Sequence, residues 1–504
     1  MEELEGLLGP LPAVIARARV EIHEPRPFYL DPQLLDPVCP RGERFGHGPL
    51  GPRLAGLGPV IRRDPQVRKR HDRSPGPLSH LGQESTGFLE RERLPQGLAH
   101  LAEDNAAWPY DLPVKALATR EEEVEAGAVR LRREIHARPE TAFEEIETAR
   151  LVADRMRARS LAVRTGVGRT GVAAVLDTGR PGKTVLLRAD MDALPVVEKT
   201  GLAFAATNGK MHACGHDGHV AALDAAADLL ILDPPAKGHV VFAFQPGEEG
   251  AGGAQAMIAD GVLDDPRPDA VFGVHLWTAL PLGQVGVAPD AMMAAVDEFL
   301  IDVTSPGGHA ASPHETRDTI VAAAHVVTAL QTIVARRLSP LLPAVVSVTS
   351  MHGGSAFNIL PASVTLRGTC RSFDAEVADR LPSLVREVAE HAARSLGCEA
   401  RTVYRKINPA VVNDPHETER VRRVAEALSP RASPARVTAS CRTMGGEDFS
   451  EFLLRVPGAF AFVGAAPATF PRGPHHAPDF DFDERALPHA ALLLAGFARD
   501  VLAD

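Results

Sequence analysis

Cysteine is scarce in this chain: five in 504 residues, at Cys39, Cys214, Cys370, Cys398 and Cys441, with no CxxC pair among them. That spacing argues against a disulfide framework or a zinc ribbon, and a reduced, cytoplasmic setting is the expectation. No apolar run approaches the ~20 residues of a membrane-spanning helix, so no membrane partner is expected. The opening Met1-Glu-Glu-Leu-Glu5 is acidic where an export signal would be basic. GxSxG is missing, which disfavours a serine hydrolase. With a net charge of −11, the chain lacks the basic excess of a nucleic-acid binder. Lysine nearly vanishes from residues 1–112, which hold one lysine against 13 arginines, together with 15 of the 42 prolines. No sustained apolar period runs through them, so they cannot bury enough surface to offset their ordering entropy. A disordered extension is expected there.

The remainder reads as globular. Glu121 to Ser160 carries apolar residues at helical spacing, broken at Arg138-Pro-Glu140. Strand-like runs follow at Gly171–Leu176, Thr184–Arg188, Gly238–Phe244 and Ala270–His275, with an Ala/Leu helix over Val220–Leu232. Strands alternating with helices predict an α/β domain with a mainly parallel sheet, formed by residues 113–294 and 406–504. Between them, residues 295–405 read as strand, helix, two strands and helix, an inserted α+β sandwich. The GxGxxG at Gly166–Gly171 is not a dinucleotide site, because Val172–Leu176 reads as a strand and a helix N-terminus is required there.

The chemistry centres on Met211-His-Ala-Cys-Gly-His-Asp-Gly-His219. Thiol, imidazole and carboxylate within eight positions are soft and borderline donors, suited to a transition ion rather than Mg²⁺ or Ca²⁺. Further donors end successive strands: Asp190 and Asp192 after Leu186-Leu-Arg188, Glu248-Glu249 after Phe242–Pro246, and His275 after Val271–Val274. Ligands of open α/β sheets gather at the carboxyl ends of strands. Two adjacent carboxylates there suit a division of labour, one ligating and the other moving a proton.

These segments resemble the M20 family of metallopeptidases. The resemblance is carried by Leu187-Arg-Ala-Asp-Met-Asp-Ala-Leu-Pro195, the Met211–His219 stretch and Phe244-Gln-Pro-Gly-Glu-Glu-Gly250. It extends to Gly307–His314, Gly353–Pro361, Gly445-Gly-Glu-Asp-Phe449 and His476–Glu484, covering about residues 120–503. The amidohydrolase branch fits best, comprising N-acyl-amino-acid, hippurate, auxin-conjugate and aminobenzoyl-glutamate hydrolases. The resemblance implies two divalent metal ions, Zn or Mn, held by Cys214 as bridge with His216, Glu249, His275 and His476. His476 is chosen over His475 by its spacing to Pro478 and Phe480. It implies Glu248 as general base toward an activated water, with Asp192 orienting a ligand. From the insertion, a lid that carries homodimer contacts, His309, Asn358 and Arg371 would hold the carbonyl and carboxylate of an N-acyl amino acid substrate. Asp318-Thr-Ile stands where the family usually has Asp-Pro-Ile. The rival readings are a dipeptidase or carboxypeptidase of the same family, a thiol hydrolase using Cys214, and a non-catalytic metal-binding homologue.

Overall fold

Residues 121–428, 437–467 and 472–504 are described by a computed structural model; the extension expected over 1–112 lies outside them. Two helices, α1 (Glu121–His136) and α2 (Ile146–Ala158), flank the proline break as their apolar spacing predicts. Next come β1 (Ala162–Val167), β2 (Gly171–Asp177), β3 (Thr184–Asp190), helix α3 (His216–Leu232), β4 (His239–Gln245), α4 (Gly253–Ala259) and β5 (Ala270–Trp277). After β6 (Val285–Gly286) and β7 (Asp290–Met293) the chain enters the insertion. The GxGxxG segment is the turn of an antiparallel β1–β2 pair, so its third glycine opens a strand as expected.

The insertion holds β8 (Ala295–Thr304), the short β9 (Gly308–His309), α5 (Thr319–Thr332), β10 (Ala344–Gly353), β11 (Ile359–Leu360), β12 (Ser363–Ser372), α6 (Ala375–Ser395) and β13 (Glu399–Asn408). Its four long strands form an antiparallel sheet in the order β10-β12-β8-β13. Along β8 buried and half-buried residues alternate, as they do when helices cover one face only. Phe299, Ile301, Val326, Leu366, Leu381 and Val385 make a core of its own under α5 and α6. Asp318 caps α5 by accepting from the amides of Ile320 and Val321, and the Thr319 hydroxyl donates to the Pro361 carbonyl at 2.7 Å. That bond gives the unusual threonine a purpose that proline could not serve. Strand β13 runs to Asn408, three residues past the expected boundary at 405. Strand β14 (Val411–Asn413) then pairs antiparallel with β7, so the chain leaves and re-enters the sheet domain side by side.

The return supplies α7 (Pro415–Ala427), β15 (Val437–Thr438), α8 (Ser450–Leu453), β16 (Gly458–Gly464) and α9 (Ala486–Ala503). The large sheet has the order β1-β2-β4-β3-β5-β16-β6-β15. Its centre, β4-β3-β5-β16, is parallel throughout. All seven residues of β3 and all seven of β16 are buried, which is why Val185–Leu187 and Ala459–Val463 read as unbroken apolar runs. Helices α1, α3 and α9 pack on one face around Leu187, Phe242, Phe272 and Phe497. The opposite face carries Leu186, Val241, Phe449 and Phe460.

One expectation needs correction. Two helical stretches, Thr319–Arg337 and Ala486–Ala503, are long and apolar enough to cross a membrane by length and composition alone. The second is 83% buried, so its apolar residues are accounted for by the core. The first is only 33% buried and leaves apolar surface on the insertion.

Candidate metal centre

The parallel strands aim their carboxyl ends at one place, and α3 starts there. Gly215 holds φ +88°, a left-handed conformation that a side chain would strain, and so turns the chain from Cys214 into the first residue of α3, His216. Cys214 Sγ lies 3.5 Å from His275 Nε2. Four donor groups overlap, each with its atoms within 4.8 Å of one another: Cys214, His216, His275; Cys214, Glu249, His476; His216, Glu248, Glu249; and Asp190, His216, His219. Cys214 therefore belongs to two of them. The described residues thus bring Cys214, His216, Glu248, Glu249, His275 and His476 together.

Backbone carbonyls fix the imidazoles. His216 Nδ1 is 2.9 Å from the Asp192 carbonyl and His275 Nδ1 is 2.8 Å from the Leu276 carbonyl. Each Nδ1 must carry the proton there, so each ring in its neutral form turns the lone pair of Nε2 toward the cluster. His216 Nε2 is buried without a hydrogen-bond partner. A buried polar atom left unpaired costs ~1–3 kcal/mol, and a divalent cation is the partner these thiol, imidazole and carboxylate donors fit.

Asp192 does more than orient one donor. Its two carboxylate oxygens accept from the amides of Glu248 and Glu249, both at 3.0 Å, while its carbonyl takes His216. One residue thereby sets the turn that carries both glutamates and the rotation of an imidazole. Burial, then the carboxylates of Glu447, Glu249 and Asp448, push the Glu248 carboxyl well above its ordinary range. Such a group suits proton transfer near neutral pH.

Of the neighbouring histidines, His476 Nε2 is 3.3 Å from Glu249 Oε1. His475 turns the other way, with Nε2 3.1 Å from the Leu276 carbonyl and its ring stacked on Trp277. Burial lowers its pKa to about 4. His476 sits at φ +71°, an unusual conformation for a non-glycine residue, held by its amide donating to the Ala213 carbonyl.

Sequence reasoning missed a layer beneath. Asp190 binds His219 Nδ1 at 2.6 Å, and His219 Nε2 accepts from the Leu276 amide, so both nitrogens of this histidine are used internally. Arg188, fully buried, reaches Asp190, Glu447 and Asp448. The Gly445–Phe449 motif is the signal that could have found this layer, since it sets two adjacent acids on a buried loop.

The three residues of the insertion lie apart. His309 and Asn358 are exposed neighbours on the β9–β11 ribbon, where the Asn358 carbonyl accepts from the Ala310 amide. Arg371, half-buried, donates to the Thr369 hydroxyl and the Cys370 carbonyl. Among the described residues, no hydrogen bond or ion pair joins any of the three to the donor cluster.

A parallel sheet with this donor cluster at its carboxyl edge, and a proton-holding glutamate beside it, defines a metal-dependent amidohydrolase. The chain belongs to peptidase family M20/M25/M40, whose pattern its residues 186–500 match. It is 36% identical over 409 residues to the N-acetyl-L-cysteine deacetylase of Bacillus subtilis, covering 79% of this chain and 95% of that one. It is 37% identical over 389 residues to thermostable carboxypeptidase 1 of Saccharolobus solfataricus, covering 75% and 96%. Among solved structures it resembles the YXEP protein of Bacillus subtilis, a dinuclear metal-binding peptidase of the M20 family. The TM-score is 0.65 at 32% identity, over 77% of this chain and 99% of that one.

Proposed function

We propose that the chain removes the acyl group from N-acyl amino acids, with Cys214, His216, Glu249, His275 and His476 holding two divalent ions. The observation that carries this is the sharing of Cys214 between two donor groups, with Glu248 next to both. Two ions bound there supply Lewis acidity and lower the pKa of water toward ~7. Glu248 takes the proton of the attacking water and returns it to the leaving amine. Asp192 keeps that carboxylate in register through the two amides it accepts from. Arg371 has no carboxylate partner in hydrogen-bonding contact among the described residues, and its planar fork suits the two oxygens of the substrate acid. His309 and Asn358 present polar groups to the scissile carbonyl when the lid approaches. A thiolate shared between two ions favours Zn²⁺ over Mn²⁺ by softness.

The lid also supports a homodimer. Val321 on α5, Leu341 after it and Met351 on the edge strand β10 are 46%, 87% and 44% exposed, apolar surface that a second copy would cover. A reducing cytoplasm would keep Cys214 free to ligate.

The test is metal analysis of the purified protein combined with a panel of N-acetyl, N-benzoyl and long-chain N-acyl amino acids, with dipeptides as the competing class. Two equivalents of ion, turnover of the acyl amino acids and loss of activity on chelation are expected. Full activity in the chelated protein would favour a Cys214 thiol mechanism. A clear preference for dipeptides would move the chain to the carboxypeptidase side of its family.

A further inference from the structure

A second cavity, of about 410 Å³, opens between α7, α9 and the loop 233–237. Lys237 precedes β4 and Glu248 follows its other end, so the strand separates this cavity from the metal donors by its own length. Seven residues at ~3.3 Å each make that roughly 23 Å. Its volume lies in the range of small-molecule sites.

The wall is apolar: Val424 and Ala427 from α7, Leu502 from α9, and Pro234 from the loop. Gly496 forms part of it because α7 and α9 approach so closely that a Cβ there would lie 2.6 Å from Val424 Cγ1. The rim is cationic. Arg499 pairs with Asp233 at 2.7 Å, and Arg423 shares Asp500 with Arg420. Both acids at the rim are thus already engaged. Among the described residues Lys237 makes no ion pair or hydrogen bond, whereas Arg423 and Arg499 are each already paired with an acid. Three cations against two acids leave the rim net positive around an apolar slot, with Lys237 unpaired, which suits a ligand that brings one negative charge and a hydrocarbon body.

We infer that this cavity binds a linear alkyl carboxylate, its charge at Lys237, Arg423 and Arg499 and its chain along Val424, Ala427 and Leu502. An alcohol of equal length would lack the charge, and acetate would lack the chain. Neither should match it. The site is separate from the hydrolytic centre and does not depend on which substrate that centre takes.

Isothermal titration of the full-length protein with decanoate, decanol and acetate tests the assignment. Decanoate should bind saturably, and the other two at least about tenfold more weakly. Lys237→Glu reverses a rim charge, and Ala427→Trp fills the slot from an exposed helix position. Each should weaken decanoate at least about tenfold while hydrolysis stays within about twofold of wild type, which shows the fold intact. Absence of saturable decanoate binding would overturn the proposal. So would equal binding of decanol, which marks an unspecific apolar groove, or of acetate, which marks a simple anion site. Decanoate binding unchanged in both variants would place its site elsewhere and overturn it equally.

Discussion

Asp192→Asn is the substitution that asks most of the architecture described above. The wild-type carboxylate accepts from the amides of Glu248 and Glu249 at 3.0 Å each, one oxygen per amide. Asparagine keeps one oxygen and turns an NH₂ toward the other amide, donor against donor. A hydrogen bond to a charged acceptor is worth ~1.5–3 kcal/mol, and the lost one leaves a buried N–H unpaired. If about 3 kcal/mol of that disruption is felt where Glu248 meets the reacting water, kcat/KM falls by roughly two orders of magnitude, at 1.36 kcal/mol per tenfold. The backbone carbonyl that fixes His216 survives the substitution, so metal content at saturating ion should stay near wild type. Initial rates on an N-acyl amino acid, metal stoichiometry and thermal midpoint should be read from the same preparation. A variant within about fivefold of wild type in kcat/KM would refute the claim that this carboxylate sets the catalytic turn.

Glu248→Gln should retain both ions and lose nearly all turnover, because it removes the proton carrier alone, whereas Glu249→Gln should lose metal; an exchange of these phenotypes would reverse the two roles. Arg371→Ala should weaken carboxylate-bearing substrates by ~2–5 kcal/mol and leave their neutral amide analogues nearly unchanged, and equal losses on both would make Arg371 structural. For His136, burial opposes the charged ring, but Asp217 and Glu198 hold its pKa up to about 9 against 6.5 unfolded. A pKa raised by folding contributes stability that is complete below pH 6.5 and lost as pH rises through 9, here of order 3 kcal/mol. Denaturant midpoints measured from pH 6 to 9.5 should show that decline in wild type and a flatter profile in His136→Gln; parallel profiles would remove His136 as its source.

What could be read from the sequence was governed by burial and by distance along the chain. Strands β3, β4 and β5 announce themselves because a parallel strand covered on both faces is apolar through its middle, with polar residues only toward its ends. Strand β13, Glu-Ala-Arg-Thr-Val-Tyr-Arg-Lys-Ile-Asn, went unread because it lies at a sheet edge, where alternate residues face solvent and carry charge. The donor cluster was legible for a chemical reason. Thiol, imidazole and paired acids sit at strand ends, where nothing structural demands them. Their supports were not legible, because each is an ordinary residue given meaning by a remote partner: Arg188 and Glu447 are 259 positions apart. His219 shows the converse. It lies among the donors in sequence, but Asp190 and the Leu276 amide take both of its nitrogens. The pair His475 and His476 turns on backbone direction alone. Adjacent side chains diverge, and the left-handed φ at His476 sends one imidazole to Glu249 while its neighbour stacks on Trp277. Residue type therefore identified which groups could serve the chemistry, and only the backbone decided which of them face it.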